Sequence, residues 1–372
     1  MIHRYGFPTE IHFGPGARRL LGEKLKELGI RKPLIVTDKN VAKLPFFGEL
    51  SAAATNSAVY SDMAGNPVRS HVTACLAAYR GHAADGIVAV GGGAAIDVAK
   101  AAAILVNHDG ALFDYEDGAP SALPIDRELP PILAIPTTAG TGSEVGRSAV
   151  ISTDDTHQKK ILFTPKMLPR VILADPEVTI GLPAGITAAT GMDALTHLIE
   201  AYITIGGENP MCDGIALEGM RLVARSLRRC VEEPKDIDAR GDMLNAALMG
   251  AVAFQKGLGA THSCAHALST VCDMHHGLAN GIMVPYVMDF TRDAVAEKFR
   301  IMADAVGTKD LCGWLRNLNA EINIPDKLSA AGVDEKHLDA LVTAASHDVC
   351  HPLNPKPVSE KDFRGIFEAA LR

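Results

Sequence analysis

The stretch GIVAVGGGAAIDVAK (Gly86–Lys100) decides the fold class. GIVAV is a continuous apolar run, which reads as a strand buried on both faces. It runs directly into three glycines, and Ala94–Leu105 then continues with helical periodicity. Glycines let a backbone come close to a ligand, and a helix N-terminus offers free N–H groups and positive potential. The turn suits a pyrophosphate, or a tight strand-to-helix connection with no ligand. It is not the spaced GxGxxG fingerprint, so a standard Rossmann unit is not indicated.

Upstream, Gly16–Gly29 reads as a helix with Leu20, Leu21, Leu25 and Leu28 on one face. PLIVTD (Pro33–Asp38) reads as a buried strand ending in an acid, and Val68–Arg80 as a second helix. Downstream, PILAIPTT (Pro131–Thr138) is another strand, followed by the small-residue turn AGTGSE. Strands alternating with helices predict an α/β layer with a parallel sheet. The texture changes at Gly181-Leu182-Pro183. Beyond it, helical periodicity covers segments near 187–204, 210–229, 238–256, 259–271, 278–306 and 308–319, with more after 326. The expected organisation is an α/β dinucleotide-binding domain over 1–182 and an all-helical domain over 183–372.

Two turns after two strands of one sheet favour a nucleotide ligand. The hydroxyls and amides of TTAGTGSE (Thr137–Glu144) suit a ribose, a phosphate or the nicotinamide amide. Asp38 reads as an acceptor for adenosine ribose hydroxyls, which favours NAD over NADP, or as a helix N-cap.

The stretch GATHSCAHALSTVCDMHHG (Gly259–Gly277) holds His262, His266, His275 and His276, four of the chain's fourteen histidines. Gly259 and Gly277 are expected to mark the start and stop of its helix. His262 and His266 are four apart, as are Asp193 and His197 in TGMDALTHLIEAY, so each pair shares a helix face. A carboxylate and several imidazoles offered from two helices form a candidate divalent-metal site, although ordinary core helices also show this spacing.

With 372 residues, 47% hydrophobic and 22% charged, the chain has room for two domains and a large core. A formal net charge of −8 argues against nucleic-acid binding, which needs a basic face. The N-terminal MIHRYGFPTEIHFGPG shows no secretory signal pattern, and no apolar run is long enough to span a bilayer. Seven scattered cysteines without a CxxC pair indicate neither a disulfide framework nor a zinc ribbon. Cys264 and Cys272 read as small buried residues. The expected location is cytoplasmic, with no membrane partner.

Together, GGGAAIDVAK, PTTAGTGSEV, LPAGITAATGMDALTHLIEAY, AFQKGLGATHSCAHAL and HHGLAN resemble the iron-containing (group III) alcohol dehydrogenase family. The likeness runs nearly the whole chain, to NPKP (Asn354–Pro357). It implies the dehydroquinate synthase-like architecture of a parallel-sheet domain followed by a helical one. It implies Asp193, His197, His262 and His276 as ligands to Fe(II), with Zn in some members. It places His266 near the nicotinamide as a proton-relay residue, and NAD against Asp38, Asn66, Gly92, Gly93, Thr138, Thr141, Val150 and Lys160. Phe254 matches a pocket-lining position. Two departures stand out: Ala94 replaces the usual Ser of the glycine turn, and His275 precedes the last ligand where Pro is common. His275 is therefore a second candidate for metal or substrate.

The implied reaction is hydride transfer between NAD and a small primary alcohol or ω-hydroxy acid, with a divalent metal as Lewis acid on the substrate oxygen. Arg147, just after the GTGSEV turn, suits a substrate carboxylate and points to a 4-hydroxybutyrate-like compound. The alternatives are a hydroxyacid–oxoacid transhydrogenase with tightly held NAD and, from another class, a catalytically dead metal- or nucleotide-binding regulator. The complete Asp/His/His/His set argues against the latter and against maleylacetate reductase activity. The family also implies a homodimer or larger homo-oligomer.

Overall fold

The computed structural model describes residues 5–372, and its chain divides into two compact units. The first comprises Pro8–Thr138 and Gly142–Thr179. Its regular elements are β1 (Glu10–Phe13), α1 (Leu21–Glu27), β2 (Pro33–Val36), α2 (Pro45–Ala53), β3 (Ala58–Tyr60), α3 (Arg69–His82), β4 (Gly86–Gly91) and α4 (Gly93–Asn107). They continue with β5 (Ile132–Pro136), β6 (Ser148–Ser152), β7 (Lys159–Phe163) and β8 (Val171–Ala174). Six strands form one sheet in the order β1-β8-β5-β4-β2-β3, and every neighbouring pair is parallel.

Side chains along β2, β4 and β5 alternate between two apolar layers, which is why these strands carry no polar alternation. Leu34, Val36, Ile87 and Ala89 pack with Val72 and Cys75 of α3 and Ile96 of α4. Ile35, Val88, Val90 and Leu133 pack on the other face with Leu21 and Leu25 of α1 and Phe47 and Leu50 of α2. The parallel sheet expected from GIVAVGGG is therefore present, with GIVAVG itself as the buried β4.

Strands β1, β3 and β8 and the antiparallel hairpin β6–β7 were not expected. Of these, β1, β3, β6 and β7 are partly exposed or polar, so they show no continuous apolar run. The helix expected over Gly16–Gly29 is split into a 3₁₀ turn (Ala17–Leu20) and α1.

The second unit comprises residues 5–7, Ala139–Thr141 and Ile180–Arg372. Its helices are α5 (Ala184–Ile203), α6 (Pro210–Glu232), α7 (Ile237–Ala253), α8 (Ala260–Cys272), α9 (His276–Thr291), α10 (Ala296–Ala305), α11 (Leu311–Glu321), α12 (Leu338–Ser346) and α13 (Glu360–Leu371). Helix α5 is central, and every residue from Thr187 to Ile203 is buried. Small residues let its neighbours approach. A Cβ on Gly277 of α9 would lie 2.3 Å from the Ala189 carbonyl of α5, and one on Gly191 would lie 2.2 Å from Leu227 of α6.

The Gly259–Gly277 stretch is not one helix. Asp273 takes a left-handed conformation (φ 49°) that ends α8, and His275 caps the N-terminus of α9. A continuous helix would have held His262 and His276 about 21 Å apart at ~1.5 Å per residue, far too distant to share an ion. The break folds them together instead. The helix expected over 278–306 is likewise divided, with a 3₁₀ turn at Arg292–Val295 between α9 and α10. No helix among the described residues is long and apolar enough to cross a membrane.

Gly191→Ala is expected to lower stability by about 1–3 kcal/mol through overpacking against the fully buried Leu227. Adding Leu227→Ala should recover part of that loss, a non-additivity readable from urea midpoints of the two single variants and the double.

Candidate functional site

Helix α5 presents Asp193, His197 and Glu200 at spacings of four and three, all buried on one face. The Glu200 carboxylate stays charged in this interior because α8 begins on top of it. It accepts from the backbone N–H of Gly259 (2.8 Å) and Thr261 (2.6 Å), and from His262 Nδ1 (2.7 Å). Burial alone would raise its pKa, but the bond and charge of His262, with these N–H donors, outweigh it and hold the carboxyl below its ordinary value. The bond to Nδ1 also fixes the His262 tautomer and turns the Nε2 lone pair the other way.

That lone pair joins two other acceptors. Asp193, His262 and His276 each offer a ligating atom within 4.8 Å of the other two. His276 Nε2 lies 3.4 Å from Asp193 Oδ1. Among them sits a single amide nitrogen, Asn280 Nδ2, at 2.8 Å from Asp193 Oδ1, 3.2 Å from His276 Nε2 and 3.4 Å from His262 Nε2. Gly277, seated against Ala189, is what lets the first turn of α9 bring His276 and Asn280 this close to α5.

His197 stands beside this trio rather than within it. Its ring stacks on His262 (centroids 4.6 Å apart) and leans on Phe254 (5.1 Å). Its Nδ1 is buried with no hydrogen-bond partner, and burial pushes the imidazole down to about 4, so it is neutral at physiological pH.

His266 stacks on His276 at 5.3 Å, and its Nδ1 is bonded to Asp348 Oδ2 at 2.7 Å. Asp348 also accepts from Ser263 Oγ (2.7 Å) and the Cys350 N–H (2.9 Å). Burial raises the Asp348 pKa, but the charge and hydrogen bond of His266, with the Cys350 and Ser263 donors, bring it well below the usual carboxylate range. His275 is exposed and accepts from Leu278 N–H as the α9 cap.

Sequence reasoning missed Glu200, Asn280 and Asp348. Glu200 was findable, since it extends the Asp193–His197 face by one turn. Asp348 lies 82 residues from His266, with no local signal linking them.

The expected nucleotide-binding residues fall mostly in the parallel-sheet unit. Gly91 has φ +155°, and a Cβ there would lie 2.7 Å from the Ala95 Cβ, so the turn needs glycine. A Cβ on Gly92, the residue preceding α4, would lie 3.0 Å from Thr138 Oγ1, which brings the ends of β4 and β5 together. Asp38 Oδ1 accepts from the N–H of Asn40 and Val41, as a local cap. Asn66 lies half-buried before α3. Val150 donates its N–H to Asp97 (3.0 Å), and Lys160 pairs with Glu116 (3.0 Å). Thr141 belongs to the helical unit. The Arg147 guanidinium lies 5.6 Å over the Phe163 ring.

With this geometry in hand, comparison with known proteins identifies the class. The family description "Iron-containing alcohol dehydrogenase" matches residues 8–176, and "Fe-containing alcohol dehydrogenase family, C-terminal" matches 187–371. The chain belongs to the iron-containing alcohol dehydrogenase family and is an oxidoreductase of its NAD-linked alcohol dehydrogenase type. It is similar to 4-hydroxybutyrate dehydrogenase of Cupriavidus necator, at 37% identity over 98% of each chain. A solved 1,3-propanediol oxidoreductase matches at TM-score 0.94 and 35% identity over 100% of both chains. Sulfoacetaldehyde reductase from Bifidobacterium kashiwanohense, solved in complex with NAD+, matches at TM-score 0.90 and 28% identity, covering 100% of this chain and 99% of that one.

The stability that Glu200 contributes should be complete above its unfolded pKa near 4.5 and lost as pH falls through its lowered folded value. Glu200→Gln should therefore flatten the acid limb of stability below about pH 4.5, and cost about 1–3 kcal/mol at pH 7, as read by urea unfolding across pH.

Proposed function

We propose that the enzyme interconverts a small primary alcohol or ω-hydroxy acid and its aldehyde, using NAD and a divalent cation held by Asp193, His197, His262 and His276. Fe(II) is the ion the family implies, with Zn as the substitute. The observation that carries the metal reading is the convergence of three acceptors on Asn280 Nδ2. An amide nitrogen has two hydrogens, so it cannot meet three acceptors at once. Three acceptors drawn to one nitrogen from three helices suit a cation at that point. Ligands held ~2.0–2.2 Å from one ion stand roughly 3–4 Å apart, close to the spacing seen here. The partnerless Nδ1 of the neutral His197 supports that residue as the fourth donor. A bound divalent ion supplies Lewis-acid stabilisation of negative charge on the substrate oxygen.

The protein's own groups do the rest in this reading. Glu200 keeps His262 in the tautomer that presents Nε2. Asp348 accepts the Nδ1–H hydrogen bond of His266, so any proton that His266 exchanges with substrate passes through Nε2. Phe254, against His197, offers an apolar wall. The glycine turn and the N-terminus of α4 take the pyrophosphate of NAD, with Asp38, Asn66, Thr138, Thr141, Val150 and Lys160 around the rest. Backbone N–H groups there stand in for the hydroxyl that Ala94 lacks.

A 4-hydroxybutyrate-like substrate is the favoured choice, supported by the 37% identity to 4-hydroxybutyrate dehydrogenase. Arg147 is the proposed carboxylate contact. It would exchange its place over the Phe163 ring, a contact worth about 0.5–1 kcal/mol at an exposed site, for a charge-assisted pair.

Asp193→Ala and His262→Ala are expected to lose bound metal and at least about 100-fold in turnover. Both should retain NAD binding, measured calorimetrically alongside metal analysis. Undiminished turnover in metal-stripped His262→Ala protein would sink the metal reading. Arg147→Ala should raise KM for ω-hydroxy acids by about tenfold and leave that for plain alkanols unchanged. Equal KM values for both classes would remove the carboxylate role.

A further inference from the structure

Helix α4 carries a lysine with no contact to solvent. Lys100 is 0% exposed, and its ammonium group donates to the Ser143 carbonyl, to Ser143 Oγ at 3.0 Å, and to the carbonyls of Gly146 and Ser148, each at 3.0 Å. All of these acceptors belong to the segment that leads into β6. One helical turn earlier on the same face, Asp97 accepts from Ser143 Oγ (2.5 Å) and from the Val150 N–H of β6 (3.0 Å). A cation and an anion at i and i+3 thus fasten one loop and one strand to one helix. The N-terminus of that helix is the glycine turn, and the hairpin so fastened bears Val150 and Lys160, which sit one residue out of register across the β6–β7 pair.

We propose that Lys100, with Asp97, is the positioning residue that sets the spacing between the glycine turn and the β6–β7 hairpin, and through that spacing governs NAD affinity without touching the cofactor. The inference rests on NAD lying along the glycine turn, as proposed above. Three carbonyls and one hydroxyl share the three N–H donors of the ammonium group. A neutral amine has one donor fewer than the ammonium ion and holds these acceptors less completely. Loss of the Lys100 proton should therefore loosen the hairpin while the fold remains.

Burial brings the Lys100 ammonium down to about 8, against the opposing pull of Asp97 and Glu144. The charged groups that face this pair are Glu144 from the turn, pushed by burial up to about 7, and Lys159 from β7, which acts on Asp97. Glu144 Oε1 is buried without a partner. Because the arrangement that binds NAD needs the ammonium form, NAD affinity falls as pH rises through about 8, and binding at that pH takes up a proton. Glu144 titrates lower and contributes a separate limb near pH 7.

The test is calorimetric titration of the full-length, metal-loaded protein with NAD across about pH 7 to 9, in buffers of different ionisation enthalpy, together with kinetics at saturating alcohol. The expected result is a Kd for NAD that rises about threefold or more between those pH values, with net proton uptake near pH 8. Lys100→Met should raise Kd and KM for NAD about tenfold, change kcat and KM for the alcohol far less, and abolish the pH limb. Glu144→Gln should keep that limb.

A flat profile with no proton uptake in the unaltered protein overturns the inference and needs no variant to fold. So does a Lys100→Met protein that binds NAD as tightly as the original. Gly92→Val separates the two readings. If it leaves NAD affinity unchanged, the cofactor site is wrongly placed. If it weakens binding while the pH limb is missing, the site stands and the role of Lys100 falls.

Discussion

The buried carboxylate of Glu200 is the constraint around which the helical unit is arranged. An ion at 1% exposure is tolerable only when its oxygens are fully met. Three donors at 2.6–2.8 Å come from the first turn of α8 and from His262. A helix N-terminus is the natural complement for such a charge, since its N–H groups have no partner within their own helix. One interaction thereby docks α8 on α5, starts α8 at Ala260, and orients the His262 ring. Gly259 is needed for the same reason: a Cβ there would lie 3.0 Å from Glu200 Oε1.

The parallel-sheet unit solves the converse problem with a buried cation. Lys100 reaches the carbonyls of Ser143, Gly146 and Ser148 from mid-helix. Both devices use a charge on a rigid helix to hold the backbone of a neighbouring segment in place. Both also depend on protonation state. The carboxylate stays ionised through the neutral range, since its pKa is lowered, whereas the lysine stands close to its own.

Continuously apolar elements were mostly legible in the sequence, and partly polar ones were not. GIVAVG announced itself because a strand covered on both faces has no polar positions. The strand VILA of β8 is equally buried yet was not read, and the hairpin SAVIS/KKILF is half polar. In the site, Asp193 and His197 were visible as a helical pair, because spacing of four is a property of one helix. The meeting of His262 with His276 depends on a reversal at Asp273, a non-glycine residue in a left-handed conformation. No periodicity encodes that break. Asn280 was invisible for a different reason. Its importance lies in facing three acceptors that come from three helices, and only the packed structure brings those together.

That packing explains how three acceptors stay gathered around one amide. Acceptors of like partial charge repel, so the donors would separate if their helices were free to move. They are not free. Gly277 and Gly281 of α9 lie against Ala189 and Met192 of α5 at distances where an added Cβ would meet atoms 2.3 Å and 3.2 Å away. Apolar burial along the whole of α5 therefore supplies the force that holds like-natured groups face to face. The site is built on helix surfaces rather than loops, and its geometry is set by contacts that contain none of the donor atoms. A change at Gly277 would therefore displace His276 and Asn280 together, and the donor set would suffer although every donor remained in the sequence.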